Sequence, residues 1–424
     1  MLRTFILSAL ASLAFAQGDL VALLQSQPDL STLLDFVQLV PGLANTLSQA
    51  TNITIIAPTN QAFDNVPTEV PEGQAIVNRN VSSIEGLLVN HVFAGYYPSS
   101  LLSEVPTFAQ TLLNTSYRNE FQPFTETPSG QYNGLVLNGE NVNILSGELT
   151  VSNVIQGDIM LGEGIVIHVV DTAMSFAPPL QLFTARADLL AYNGALEAAD
   201  LGLDVGLEED GGPVNTFTDI TFLVPNDLAF QAIGSVVDSV DQATLAQVLE
   251  YHIIPDNIVF SPSITNASVA SLQGNDLVFS VLPNGEIFVN GAKVLFANVI
   301  LSNGVAHIID SVLNPASAPF DRASLDAAAP ASDRIAFPGA TPSDDLPITR
   351  SLSFASEAIA QTIPTPEILK TLSLVAVTPT SASTVPTQSG SAPIETYTGG
   401  AGARPGMMVA GVAAMAGGVL AAGM

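Results

Sequence analysis

An α+β fold present in two tandem copies, followed by a disordered stalk, is what this sequence predicts, and three observations carry the prediction. The stretch Ile53 to Phe63 (Ile-Thr-Ile-Ile-Ala-Pro-Thr-Asn-Gln-Ala-Phe) returns at Ile220 to Phe230 (Ile-Thr-Phe-Leu-Val-Pro-Asn-Asp-Leu-Ala-Phe), with Ile, Thr, Pro, Ala and Phe in register. Further landmarks recur in the same order: Asn90-His91 and Tyr251-His252, Asn153-Val154-Ile155 and Asn298-Val299-Ile300, then Gly164 to Asp171 and Gly304 to Asp310. Within each copy, apolar residues fall at helical spacing early and in short β-rich runs late. The copies are offset by 167 residues at Pro58 and Pro225 and by 139 at His168 and His307, so the first is longer by 28. A period of that size is a whole domain, because solenoid units repeat at about 20 to 50 residues.

Each element has a physical reason. The continuous apolar run before Pro58 or Pro225 reads as a buried strand, and the proline ends it because it cannot donate to a ladder. Asn60 in the first copy and Asn226 or Asp227 in the second then stand where a helix needs its N-cap, with Phe63 and Phe230 opening the helix's apolar face. Helical spacing runs from Asp19 to Leu47 (Leu20, Leu23, Leu24, then Leu33, Leu34, Val37) and again from Leu182 to Leu201. Strand-like runs follow at Leu135 to Leu137, Val142 to Leu145, Leu277 to Leu282 and Ile287 to Val289, the last two joined by the hairpin signal Pro283-Asn284-Gly285. Helices segregated from an antiparallel sheet make an α+β architecture. The extra length of the first copy is expected in a removable surface loop around Thr115 to Asn133, which is polar and contains Pro and Gly.

The strand-Pro-Asn/Asp-x-Ala-Phe motif, the Tyr-His motif and the closing Gly-Val-x-His-Ile-Ile-Asp motif, in that order, resemble the segments of fasciclin domains. The resemblance spans residues 18–177 and 178–316. It implies a β-wedge or sandwich with a helical cluster in each copy, and a non-catalytic role in adhesion or in the cell wall. Two departures fall in the first copy: Asn90 stands where the family has tyrosine, and one extra residue lies between Gly164 and His168. By this resemblance Tyr251 and His252, with Asn90 and His91 as their counterparts, are the adhesion candidates. Pro58, Asn60, Phe63, His168, Asp171, Pro225, Asp227, Phe230, His307 and Asp310 mark the structural motifs.

Composition sets the compartment. Residues 1–16 carry Arg3, an apolar core from Phe5 to Leu13 and the small-x-small site Ala14-Phe15-Ala16, the pattern of a secretory signal peptide. With no cysteine, both domains must rely on burial of the 47% of residues that are apolar. A formal charge of −29, with Lys293 and Lys370 the two lysines, excludes nucleic acid as a partner. The acids are dispersed except for Glu208-Glu209-Asp210, read as an exposed loop. The fasciclin resemblance implies partners among wall or extracellular-matrix components or surface proteins.

All four histidines fall in repeated motifs. An acid/base or metal reading would pair His91 with His168 and His252 with His307, adding Asp171 and Asp310. His168 and Asp171 are three apart on a predicted strand, hence on opposite faces, and each copy lacks a third ligand. Histidines that bond backbone inside the core explain the repetition equally well. No nucleophile elbow, His-Glu-x-x-His, phosphate loop or dinucleotide fingerprint occurs, so no enzyme, metal or cofactor is expected. Beside adhesion, a second class stays open, a binder of a small apolar or lipid-like ligand between sheet and helices; a hydrolase is the distant third.

Asn52, Asn80, Asn114 and Asn266 begin N-x-Ser/Thr sequons. The domains are expected to join at Ala177-Pro178-Pro179, each closing its own core. Residues 317–398, rich in Ala, Ser, Thr and Pro, have the composition of a linker or O-glycosylated stalk. In 399–424, small residues from Gly399, a spacer with Arg404 and Pro405, and the uncharged run Met407 to Met424 follow the order of a glycolipid-anchor signal, with attachment at Gly399 or at Ser389-Gly390-Ser391. A retained membrane-spanning helix is the alternative for that run.

Overall fold

A computed structural model of the chain describes residues 20–119, 122–201 and 218–349. The leader, the acidic cluster at 208–210, the stalk beyond 349 and the C-terminal run lie outside the described residues. In the first copy, helices α1 (Leu20–Gln25), α2 (Ser31–Leu39) and α3 (Leu43–Gln49) precede strand β1 (Ile53–Pro58). Helices α4 (Asn60–Asp64), α5 (Pro71–Asn78) and α6 (Val81–Asn90) follow, and then the strands β2 (Val92–Phe93), β3 (Thr107–Gln110), β4 (Tyr132–Asn138), β5 (Asn141–Leu145), β6 (Val151–Leu161) and β7 (Ile165–Val170). The second copy repeats the order with α7 (Leu180–Arg186), α8 (Leu190–Ala199), β8 (Ile220–Pro225), α9 (Asp227–Ala232), α10 (Gly234–Val237) and α11 (Gln242–Glu250). Its strands are β9 (Ile253–Ile254), β10 (Ser268–Ala270), β11 (Asp276–Val281), β12 (Ile287–Val289), β13 (Ala292–Leu301) and β14 (Gly304–Ile309). Among the described residues no helix is long and apolar enough to cross a membrane.

Each copy builds one seven-stranded sheet, β2-β1-β7-β6-β5-β4-β3 and β10-β11-β12-β13-β14-β8-β9. Neighbours are antiparallel except for one parallel pair next to an edge strand, β1 with β7 beside β2 and β8 with β14 beside β9. Every residue of these four strands is buried. That is why they read as continuous apolar runs: the parallel pair has both faces covered. The faces alternate with period two. Ile53, Ile55 and Ala57 join Leu24, Phe36 and Leu88 under the helices, whereas Ile56 joins Phe93, Leu135 and Ile144 on the opposite face. In the second copy Phe222 and Val224 face the helices and Leu223 faces Tyr251 and Val294. Gly304 opens β14 so close to β8 that a Cβ there would sit 1.8 Å from the Ile220 carbonyl oxygen, which explains the glycine in the closing motif.

The proline corners differ from expectation by one residue in the first copy. Thr59, not Asn60, caps α4 by accepting from the Ala62 N–H, as Asn226 caps α9 by accepting from Ala229. The next residue has another task in both copies. Asn60 accepts from the Thr32 N–H at 2.8 Å, and Asp227 accepts from Ala191 at 3.0 Å, so each ties the domain's early helices to its corner.

Four further expectations are corrected. The landmark pairing of Asn153 with Asn298 is out of register: the N–H groups of Asn153 and Lys293 donate to Asp171 and Asp310, and those of Asp158 and Asn298 to His168 and His307. Asn298 therefore answers Asp158, and most of the extra length of the first copy falls between His91 and Asp158.

That extra length is not a free surface loop. Phe124 stacks on Phe176 at 4.6 Å, and Thr125, Thr127 and Gln131 are buried. The Ser302 carbonyl, at the tip of the β13–β14 hairpin in the second copy, accepts from the Glu126 N–H (2.8 Å) and from the Thr125 (2.9 Å) and Thr127 (3.2 Å) hydroxyls. Gln131 donates to Leu301 O, and the Ser302 N–H donates to Pro178 O. The copies consequently do not close separate cores: Val136, Leu145 and Leu149 of the first belong to one apolar cluster with Leu180, Phe222 and Ile300 of the second. Ala177 and Pro178 are buried in this joint, and Arg186 of α7 pairs with Glu148 across it.

Residues 317–349 do not behave as a stalk either. They form a strap along the second copy. Arg334 donates to the carboxylate of Asp310 (2.7 Å), to Gly291 O (2.7 Å) and to Ala329 O (3.0 Å), and its guanidinium lies over the ring of Phe288. Farther on, a Cβ at Gly234 would lie 2.3 Å from Ser343 Cβ and one at Gly194 would lie 1.8 Å from Ile348 O, so two helical glycines leave the grooves that seat the strap. Arg334 and Asp310 are 10% and 9% exposed, and removing one partner of a buried pair costs about 3 kcal/mol or more. Arg334→Ala is therefore expected to release the strap, read as rapid protease cleavage within 317–349 while the preceding domain stays resistant. Unchanged protection of the strap would contradict this.

Candidate functional site

The repeated residues converge on one loop in each copy. After β2 and β9 the chain crosses the sheet edge at 95–101 and 257–263. Thr54 of β1 donates to Gly95 O and accepts from the Tyr97 N–H; Thr221 of β8 donates to Asn257 O and accepts from Val259. His168 Nε2 meets Tyr97 O at 2.9 Å, and His307 Nε2 meets Val259 O at 2.7 Å. Asp158 and Asn298, at the bulge of β6 and of β13, both adopt positive φ (55° and 65°) and accept from Ser99 and Ser261. Aspartate and asparagine tolerate that conformation better than most residues. The Ile-Thr pair of the first repeated stretch and the histidines of the closing motif were the sequence signals for this cluster, and the threonine was legible only as strand.

The other two histidines fasten a helix end to the segment after the last strand. His91 Nδ1 faces Leu87 O at 2.8 Å and its Nε2 accepts from Met174 at 2.8 Å; His252 Nδ1 faces Val248 O at 2.7 Å and its Nε2 accepts from Leu313 at 2.9 Å. A nitrogen facing a carbonyl carries the proton and one facing an N–H lacks it, so all four imidazoles are neutral with their tautomers fixed. Burial pushes His91, His252 and His307 down from 6.5 to about 4, and His168 in the same direction. Asp171 and Asp310 bond to β6 and β13 rather than to any histidine. Among the described residues no group of three or more His, Asp and Glu side chains gathers where it could hold a metal ion.

Tyr251, His252, Asn90 and His91 are all in the interior, at most 2% exposed. This corrects the expectation that they meet an adhesion partner directly, since a side chain inside the core cannot contact a macromolecule. Tyr251 donates to Asp276 O (2.9 Å) and accepts from the Asn290 carboxamide (2.6 Å). Asn90, too short to span that distance, accepts from Asn133 and donates to Ser175 O. Pro58 and Pro225 lie in register with Val170 and Ile309, and Phe63 and Phe230 are core residues, Phe63 packing edge-on to Phe36 at 5.2 Å. Of the sequons, Asn52, Asn80 and Asn266 are exposed and Asn114 is half-buried. The space between sheet and helices in the first copy, lined by Leu24, Val37 and Leu88 among others, is about 20 Å³, room for one water and far below the roughly 300 Å³ at which small-molecule sites begin.

A larger concavity lies elsewhere. Between the β12–β13 turn and the strap is a cleft of about 410 Å³, lined by Tyr251, Asn290, Phe320, Leu325, Asp333 and Ile335 among others. Asn290 and Gly291, both at positive φ (45° and 87°), make the tight Asn-Gly turn at its rim.

Two copies of a mixed sheet with one parallel pair, a helical layer and histidines at repeated backbone stations define a tandem domain whose motifs serve architecture. The model of the Fasciclin domain matches residues 28–176 and 190–315, and the chain belongs to the fasciclin domain family. It is similar to a fasciclin-like arabinogalactan protein of Arthroderma benhamiae, 29% identical over 297 residues that cover 69% of this chain and 65% of that protein. The match thus spans just under two-thirds of that relative's length. A protein of the same description from Phaeosphaeria nodorum is 27% identical over 323 residues, 74% of this chain and 92% of the relative. Human periostin is 25% identical over 276 residues, 63% of this chain and 29% of periostin.

Proposed function

We propose that this chain is a non-catalytic protein of the cell surface or wall, which uses its paired fasciclin domains as one stiff block for adhesion to wall or matrix components. The observation that carries the reading is the double match to the fasciclin domain. Relatives described as fasciclin-like arabinogalactan proteins support a surface setting. The leader-like residues 1–16, the four sequons and the small-residue, spacer and apolar order of 399–424 support secretion, glycosylation and a glycolipid anchor. Adhesion then rests on exposed surface and not on the Tyr-His pair. The competing idea of a lipid-like ligand between sheet and helices loses support from the small space there in the first copy, about 20 Å³. Locating the protein on intact cells before and after phospholipase treatment tests the anchor, and retention on immobilised wall polysaccharide or matrix tests adhesion. Protein that stays cell-bound after treatment would overturn the anchor, and protein that passes through both matrices would overturn the adhesive role.

A further inference from the structure

We propose that the cleft between the β12–β13 turn and the strap binds a neutral saccharide, an inference that rests on the cell-surface reading only for the source of the sugar. Its volume of about 410 Å³ lies within the roughly 300 to 1,000 Å³ of small-molecule sites. A sugar ring presents apolar C–H faces and an edge of hydroxyls, and the cleft offers a partner to each. Phe320, Leu325 and Ile335 supply the apolar wall. Phe320 is held in place by the rim, because the ring lies close enough that a Cβ on Gly291 would come within 3.3 Å of it. The carboxylates of Asp326 and Asp333 supply acceptors: one oxygen of each takes the Ala328 N–H or the Ser332 hydroxyl, and the other is left for a ligand hydroxyl.

Charge selects among polar ligands. Arg334, the cation that lines the cleft, is consumed by Asp310, Gly291 O, Ala329 O and the Phe288 ring. An anion therefore meets two carboxylates and no available positive charge. A cation gains little, because Asp326 and Asp333 are exposed and ion pairs at such sites contribute about 0 to 1 kcal/mol. Hydroxyl donors and an apolar face remain. The strap follows the second copy alone, so one site per chain is expected.

Titration of the full secreted chain, stripped of its own glycans, tests this with three probes of similar size: a neutral hexose oligosaccharide, a uronic-acid oligosaccharide and a lysine peptide. The neutral probe is expected to bind one to one. Phe320→Ala should weaken it about tenfold and Asp333→Asn should weaken it severalfold, with the melting temperature unchanged. Absence of neutral-sugar binding, binding untouched by Phe320→Ala, or preference for the acidic or basic probe would each overturn the assignment. Adhesion of the same variants to wall or matrix separates the two claims. Phe320→Ala that still adheres while wild type binds sugar leaves the cleft as a sugar site and adhesion elsewhere, whereas wild type that binds sugar without adhering overturns the adhesive reading alone.

Discussion

Tyr251→Ala combined with His252→Ala is expected to unfold the fasciclin pair rather than to remove an adhesive contact from an intact one. Tyr251 is 0% exposed within the cluster of Leu223, Phe279 and Val294, and truncating a buried aromatic costs about 3 to 5 kcal/mol. Removing His252 strands the Val248 carbonyl and the Leu313 N–H, at about 1 to 3 kcal/mol for each buried group left unpaired. Together the losses are on the order of 6 kcal/mol, comparable with the whole stability of many domains. Thermal melting and adhesion should fall together. Tyr251→Phe, which removes only the hydroxyl, should cost about 1 kcal/mol and leave adhesion in place. Full loss of adhesion by the double variant at an unchanged melting temperature would contradict burial as the role of the pair.

Acidification is expected to weaken the fold strongly between pH 7 and pH 5. Burial lowers His91, His252 and His307 from 6.5 to about 4. A lowered pKa means that the stability is present above 6.5 and is lost as pH falls toward 4, because the unfolded chain takes up protons first. Each histidine loses on the order of 2 kcal/mol by pH 5, about 6 kcal/mol for the three. Glu72 acts in the opposite sense. It is buried beside the Phe176 N–H, and burial raises it from 4.5 to about 7. Its stabilisation is complete below 4.5 and is lost as pH rises through 7, so it returns about 2 kcal/mol at pH 5. The net loss is on the order of 4 kcal/mol. Urea midpoints measured from pH 7 to 5 should fall steeply and should fall less in His307→Gln, whose amide does not titrate. A flat profile would mean that the histidines reach solvent.

The fold was legible where its physics is local. Continuous apolar runs ending in Pro58 and Pro225, helical spacing before them and the Pro283-Asn284-Gly285 turn each name an element, and the repeat orders them. The site was not legible in the same way. The histidine of this motif recurs, as His91 and His252, because a helix end must be fastened to a distant segment, at Met174 and Leu313, and no spacing along the chain shows that the imidazole faces inward. Asn298 invited pairing with the identical Asn153, whereas the bulge that both copies need is satisfied by Asp158. The stretch 115–133 has a loop's composition, yet its hydroxyls are matched to one carbonyl in another domain, a complementarity that exists only after folding. Likewise the strap is Ala- and Pro-rich, and its anchoring depends on Arg334 meeting Asp310.

Calorimetry of the full chain tests most directly whether the fasciclin pair is one block joined at Ser302. A single transition whose calorimetric enthalpy equals its van't Hoff enthalpy is expected, because the apolar cluster of Leu145, Leu149, Leu180 and Ile300 and the bonds to Ser302 O span both copies. Thr125→Val with Thr127→Val should lower that transition or split it. Two well-separated transitions in the unaltered chain, with no shift on changing Thr125 and Thr127, would contradict the joint.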